Sequence, residues 1–385
     1  MTLEPMTLDL LDTPAAIIDV SRMQRNIASM QKRMDALGVK FRPHVKTSKC
    51  LNVVRAQLSA GARGITVSTL KEAENFFAAG ITDILYAVSI APSKLWRAAA
   101  LRKRGCDLKI TVDNASAATA IVEFARTQRD PLEVWIEIDT DGHRSGIKPE
   151  DDALLDIGRI LQAGAVKVGG VMTHAGSSYE LNTREALTAL AEQERAGCVG
   201  AAQRLRSTGI ACETVSIGST PTALAATNLD GVTEVRAGVY AFFDLVMHNI
   251  GVCAIEDIAL SVLTTVIGHQ QDKGWVIVDA GWMAMSRDRG TSKQSHDFGY
   301  GLPCALDGTP LDGYMLIGAN QEHGILARAR PEHTADRGDV ALRFPVGTRL
   351  RILPNHACAT GAQFPQYHAL ELSGHLTEWG RFHGW

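Results

Sequence analysis

The sequence predicts an α/β protein, a (β/α)8 TIM barrel followed by a C-terminal β-rich domain. Three observations lead there. From about Thr13 to Phe243, short β-branched runs alternate with Ala/Leu/Arg-rich stretches, the pattern of parallel strands joined by helical crossovers. The runs number eight, which favours a closed barrel over the doubly wound open sheet that the same alternation would also fit. After Asn249 the texture changes to strand-like runs divided by Gly, Asp and Pro, with no long helix evident.

Taken in order, a helix at 21–37 precedes the first strand, 39–45. Further strands are read at 64–68, 83–87, 107–112, 132–138, 167–173, 212–217 and 231–236. Amphipathic segments lie between them at 70–79, 94–104, 115–127, 152–163 and 184–207, each with apolar residues at helical spacing. Beyond the barrel, 255–269, 275–278, 314–317, 349–353 and 369–372 read as strands, and 13–19 is expected to pair with them. The expected division is a barrel over 13–249 and a β-domain over 250–385 that also takes in 1–12.

Composition narrows the function. A net charge of -3 over 385 residues gives no reason to expect nucleic acid or acidic lipid as a partner. A small-molecule substrate fits better. No apolar run approaches the roughly 20 residues that cross a bilayer, and segment 1–11 lacks the basic start of a secretory signal. Seven scattered cysteines, an odd number, suggest reduced thiols in a cytoplasm.

Two short segments carry the chemistry. In Arg42-Pro43-His44-Val45-Lys46-Thr47-Ser48-Lys49, Lys46 closes the first predicted strand, at the end where barrels carry their active sites. A lone lysine there is ordinarily a solvated loop residue. Here Phe41, Pro43 and Val45 surround it, and Arg42 and Lys49 are close enough in sequence to lower its pKa by like charge. Gly218-Ser219-Thr220-Pro221-Thr222 follows the seventh strand and Arg236-Ala237-Gly238-Val239-Tyr240 the eighth. Such turns offer backbone N–H groups to a phosphate. In Asn355-His356-Ala357-Cys358 an imidazole and a thiol stand two residues apart. On a strand they would share a face and grip one metal ion, although such a pair is more often simple packing. Two protein ligands leave open positions, which suits catalysis better than structure.

As a set, the motifs resemble a known family: Pro43-His44-Val45-Lys46-Thr47, Glu137-Ile138-Asp139-Thr140-Asp141-Gly142-His143-Arg144-Ser145-Gly146, Thr173-His174-Ala175-Gly176, the two phosphate-type turns, Asp279-Ala280-Gly281, Glu322-His323-Gly324 and Pro354-Asn355-His356-Ala357-Cys358. The chain resembles, over nearly its whole length, the fold-type III pyridoxal-phosphate enzymes, which are alanine-racemase-like barrels. Within them it is similar to the D-serine dehydratase and D-threonine aldolase family. The resemblance implies pyridoxal 5'-phosphate as cofactor, with Lys46 as its Schiff-base lysine and the base at Cα. Arg144 would face the phenolic oxygen; Gly218, Ser219 and Thr220 with Gly238, Val239 and Tyr240 would hold the phosphate. Arg236 would meet the pyridine nitrogen, with His174 and Tyr179 as rivals for that contact. A divalent metal (Zn, Mn, Co or Mg) on His356 and Cys358 would meet the β-hydroxyl of the substrate. The catalytic residues would thus be Lys46, His356 and Cys358.

Cys358 stands where the aldolase branch carries Asp, which favours dehydration of D-configured β-hydroxy amino acids such as 3-hydroxyaspartate, serine or threonine. The rival is retro-aldol cleavage to glycine and an aldehyde. A racemase needs no metal pair, and the non-enzymatic cofactor carriers of this fold end with the barrel. Arg287 or Arg289 is a natural clamp for a β-carboxylate, an exposed salt-bridge loop being the plainer reading. Glu322 and His323 read either as a turn or as partners of the metal ligands. The family's habit implies a homodimer.

Overall fold

The computed structural model describes residues 7–128, 132–329 and 340–385. The chain divides into two compact units, Ile27–Gly238 with Phe382–Trp385, and Met1–Asn26 with Val239–Arg381. Strand β1 (Ala15–Asp19) and the helix Val20–Ala36 come first.

The barrel unit is built on eight parallel strands: β2 (Lys40–Pro43), β3 (Ile65–Val67), β4 (Asp83–Ser89), β5 (Asp107–Val112), β6 (Glu133–Ile138), β7 (Lys167–Thr173), β8 (Thr214–Ile217) and β9 (Glu234–Ala237). They pair in the order β2-β9-β8-β7-β6-β5-β4-β3. The two ends of that row meet through a bridge between His44 and Thr66, where the Val45 N–H donates to the Thr66 carbonyl at 2.9 Å. The sheet is therefore a nearly closed barrel, and each of the eight expected strands is present. Ile84, Leu85, Ile110, Val112, Val134, Ile136, Val171 and Val215 are all fully buried. Strands covered on both faces read as continuous apolar runs, and each such side chain contributes about 1.5–3 kcal/mol on burial. Two helices go beyond the expected set, Leu51–Ser59 and Thr220–Ala225. The first carries the β-branched pair Val53-Val54, fully buried, and lacks a side-chain cap; both features mask a helix in sequence.

The other unit holds β1 with β10 (Leu260–Gln270), β11 (Trp275–Val278), β12 (Leu302–Cys304), β13 (Tyr314–Ala319), β14 (Gly324–Arg328), β15 (Arg349–Leu353), β16 (Gln366–Leu370) and β17 (Leu376–Gly380). The main path is β13-β14-β11-β10-β1-β16-β17, and β15 links β10 to β12. β1 runs antiparallel to β10 and parallel to β16, the pairing expected for 13–19. Its Ala15 and Ile17 pack with Leu11, Leu263 and Leu376. The strand expected at 255–269 starts later, because Ile255–Asp257 forms a short 3-10 turn. Among the described residues no helix is long and apolar enough to cross a membrane.

Candidate active site

Lys46 lies in the turn just past β2, half-buried. Its neighbours in the chain stay tied to the barrel: the His44 N–H donates to the Ala237 carbonyl at 2.8 Å. The cations expected to press on Lys46 are committed elsewhere. Arg42 pairs with Glu234 at 2.7 Å and with Asp83 at 2.8 Å, and Lys49 pairs with Glu72 at 3.1 Å.

Three strand ends bring further groups to the same part of the barrel. After β6, a loop doubles back so that the Asp139 N–H donates to Ile147 O and the Ile147 N–H to Glu137 O. Gly146 permits this: its φ is +115°, and a Cβ there would fall 2.6 Å from Asp139 N. The loop carries Arg144, 53% exposed, 3.5 Å from the Glu137 carboxylate. After β7, His174 places Nδ1 3.1 Å from the Gly218 carbonyl. A carbonyl only accepts, so Nδ1 carries the proton and Nε2 a lone pair. Tyr179, in the turn Gly176–Glu180, has its ring 6.2 Å from that of His174. After β8, Gly218 (φ +124°) passes so close to β9 that a Cβ would sit 2.4 Å from Arg236 O. Ser219 then caps the helix Thr220–Ala225 and exchanges hydrogen bonds with Thr222. Buried Glu194 accepts from both Ala175 N and Gly218 N, at 2.9 and 3.0 Å.

Arg236 of β9 is buried, and its guanidinium donates to Ser216 Oγ and to the Thr173 carbonyl. Gly238 follows; a Cβ there would be 3.0 Å from His44 O. Val239 and Tyr240 are buried in the 3-10 turn Val239–Ala241.

The two histidines of this region are shifted the same way. Burial, then the charge of Lys46, push His174 down to about 3, and Arg144 and Arg236 add to the effect. His44 is driven well below its ordinary value by burial, Lys46, Arg236, His174 and Arg144. Two neutral imidazoles thus sit among Lys46, Arg144 and Arg236, beside glycine turns with no room for a Cβ. Such surroundings suit an anionic ligand with a phosphate, so the groups present fit pyridoxal phosphate.

His356 and Cys358 belong to the other unit, and here the strand geometry expected for them is not found. β15 ends at Leu353, and His356 caps the short helix Ala357–Gly361. The Ala357 N–H is taken by buried Asp244, at 2.9 Å, which starts a helical turn. That turn, rather than strand alternation, keeps the imidazole and thiol within hydrogen-bonding reach of each other. Asn355 braces the segment, accepting from Thr291 Oγ1 and donating to the Gly299 carbonyl at 2.7 Å. His356 Nδ1 meets the Asp288 carboxylate at 2.5 Å. Burial disfavours the charged imidazole, yet Cys358, Asp288 and Asp244 raise His356 well above its ordinary value. Among the described residues no group of three or more His, Cys, Asp and Glu could hold a metal. The donor set is a pair, imidazole and thiol, with the imidazole anchored by a carboxylate; this fits a divalent ion with open positions.

Sequence reasoning gave no role to His44, Glu194 or Asp244. His44 stood inside the Lys46 motif, and Asp244 directly precedes a helical segment, Leu245–Asn249, the usual place of a capping acid. Glu322 and His323 are exposed in the β13–β14 hairpin, where the Asn320 N–H donates to His323 O. Asp279 is absorbed by Thr13, Thr264 and the backbone of Thr265.

Comparison with known proteins follows the same division. A family model described as alanine racemase, N-terminal domain, matches residues 18–246, and a model for a serine dehydratase domain matches 259–370. D-threo-3-hydroxyaspartate dehydratase of Delftia sp. (strain HT23) is 69% identical over 380 residues, covering 98% of this chain and 99% of the relative. D-serine dehydratase of Dictyostelium discoideum is 31% identical over 382 residues, 94% of this chain and 93% of the relative. The solved structure of the Delftia sp. HT23 enzyme superposes with a TM-score of 0.97 at 69% identity, covering 98% of this chain and 100% of that one. So does a cysteine-to-alanine mutant of a D-threo-3-hydroxyaspartate dehydratase in the metal-free form, with a TM-score of 0.97, 68% identity, and coverage of 99% and 100%.

Proposed function

The chain belongs to the family that joins an alanine racemase N-terminal domain to a serine dehydratase domain, and we propose that within it the protein is a pyridoxal-phosphate- and divalent-metal-dependent dehydratase of D-configured β-hydroxy amino acids. Its substrate is D-threo-3-hydroxyaspartate, converted to oxaloacetate and ammonia, with D-serine and D-threonine as further substrates. The observation that carries this is 69% identity across 98% of the chain to a relative of that name. The metal reading is supported by the sequence itself. His356 is the only histidine standing two residues before a cysteine, and a solved relative that lost a cysteine is in a metal-free form.

When bound, the cofactor supplies an electron sink that acidifies the α-proton, and the metal supplies Lewis acidity at the β-oxygen. Lys46 would hold the cofactor through Nζ and, once displaced by the substrate amine, take the α-proton on that atom. Gly218, Ser219 and Thr220, with Gly238, Val239 and Tyr240, would frame the phosphate, the Gly218 and Ser219 N–H groups being held by Glu194 and Thr222 and so fixing the turn. Arg144 would serve the phenolic oxygen. Arg236, fixed by Ser216 and Thr173, is favoured for the pyridine nitrogen over His174 and Tyr179. His356 would offer Nε2 to the metal, since Asp288 occupies Nδ1, and Cys358 its thiolate. The α-proton and β-hydroxyl leave as water, and one water returns to hydrolyse the released enamine as its imine. The net products are the 2-oxo acid and ammonia.

The remaining readings are a homodimer and a cytoplasmic setting; none of the seven cysteines is in a disulfide, in keeping with a reducing compartment. The deciding experiment strips the enzyme with chelator and restores zinc, manganese, cobalt or magnesium in the presence of D-threo-3-hydroxyaspartate, D-serine or D-threonine. Ammonia and a 2-oxo acid, formed only with metal, are expected. Glycine and an aldehyde would make it an aldolase and overturn the weight placed on Cys358.

A further inference from the structure

We propose that Arg287 is the receptor for the substrate's second carboxylate, and so sets the preference for a β-hydroxy dicarboxylic amino acid over D-serine. The proposal rests on the dehydratase reading above and names the residue behind its substrate class.

Arg287 sits on a pinned loop. The helix Trp282–Met285 ends in a sharp reversal at Ser286, a non-glycine residue with φ +71°, whose N–H donates to Trp282 O at 2.8 Å. Ser286 Oγ accepts the Asp288 N–H at 3.2 Å, and Asp288 holds His356 by Nδ1. Arg287 lies between these two fixed points, one residue from the carboxylate that orients the proposed metal ligand.

Two arginines flank Asp288, and the structure separates them. Arg289 is committed: it pairs with Asp297 at 2.7 Å and donates to the Gly299 carbonyl at 3.3 Å. Arg287 is exposed, and among the described residues no carboxylate or carbonyl engages it. Its contact is the face of Trp282, with the guanidinium carbon 4.2 Å from the ring centroid. Stacking uses the flat face of a guanidinium and leaves its in-plane N–H donors pointing outward. That is the posture in which a planar fork takes a carboxylate by two parallel hydrogen bonds. If the metal on His356 and Cys358 holds the β-oxygen, the group recognised here is the other substituent on the same carbon. It is a carboxylate in 3-hydroxyaspartate and a hydrogen in serine, so a cation at this place discriminates by charge.

The test compares metal-loaded holoenzyme of wild type, Arg287→Gln, Arg287→Lys and Arg289→Gln on D-threo-3-hydroxyaspartate and on D-serine. Arg287→Gln is expected to lower kcat/KM for hydroxyaspartate about 10- to 100-fold, the usual effect of losing a charge-assisted pair. D-serine should change by less than about 2-fold, and Arg287→Lys should recover part of the loss, since a point charge lacks the fork. As a readout without turnover, calorimetric binding of D-malate should weaken in Arg287→Gln with metal content unchanged. An equal fall on both substrates, or a shift of the preference by Arg289→Gln instead, overturns the proposal. Wild type that forms a 2-oxo acid from neither substrate overturns the dehydratase reading itself.

Discussion

Two imidazoles in this chain are pushed in opposite directions. His174, in the barrel unit, is carried down to about 3 by burial and by Lys46, with Arg144 and Arg236 behind it. His356, in the sheet unit, is raised well above its ordinary value against burial, by Cys358, Asp288 and Asp244. The side chain is the same, so the contrast comes from the surroundings. One region gathers fixed cations and suits an anion; the other gathers acids around a His-Cys pair and suits a cation. Burial comes first for both rings, so the opposite directions come from the charges that face them, cations for His174 and acids for His356. The proposed cofactor and metal place an anion in the first region and a cation in the second.

The largest expected effect removes the barrel's central cation. Lys46→Ala should abolish the visible absorbance of lysine-bound cofactor and lower kcat/KM by at least about 10³-fold, the scale of a lost base plus a lost covalent anchor. An unchanged spectrum would remove Lys46 from the mechanism. Next comes the acidic region: Cys358→Ala should keep the cofactor spectrum while losing bound metal and turnover by about 10²-fold or more. Full activity in metal-free Cys358→Ala would sink the metal assignment. Smaller still is Asp288→Asn, which keeps the shape but loses the charge on Nδ1 of His356. It should weaken metal affinity about 10- to 100-fold, the range seen for partners of metal-bound histidines, with the melting temperature of metal-free protein little changed. Metal affinity equal to wild type would show that Asp288 does not orient His356.

The two regions also differed in how plainly the sequence announced them. The barrel strands were readable because both faces are covered, so apolar runs such as 107–112 and 167–173 stand out. Their alternation with helices then placed Lys46, His174 and the two glycine turns at strand ends. In the sheet unit, β12, β14 and β17 escaped notice, being three to five residues long and dependent on partners distant in sequence. The His356–Cys358 pair was recognised on strand spacing, while the structure keeps the two in contact through the start of a helix. Asp288 and Asp244 reach that segment from 68 and 113 residues away. No local pattern encodes such contacts, and a loop acid looks the same in sequence whether it orients a histidine or faces water.

The contrast has a consequence for acid stability, and it carries the smallest expected effect. In the cofactor-free protein, His44 and His174 have folded-state values below the ordinary 6.5. Above pH 6.5 both are neutral folded or unfolded, and stability owes nothing to their titration. As pH falls through 6.5 the unfolded chain takes up protons that the folded barrel refuses, so stability declines, for His174 down to about 3. Each such proton adds a slope of at most about 1.4 kcal/mol per pH unit. His174→Asn keeps an N–H to offer the Gly218 carbonyl but cannot take up a proton. Denaturant midpoints of the cofactor-free variant, measured between about pH 6.5 and 4.5, should therefore fall less steeply than those of wild type. Parallel curves would mean that His174 is protonated as easily in the folded barrel as in the unfolded chain. The combined effect of burial and of Lys46 assigned to His174 would then be wrong.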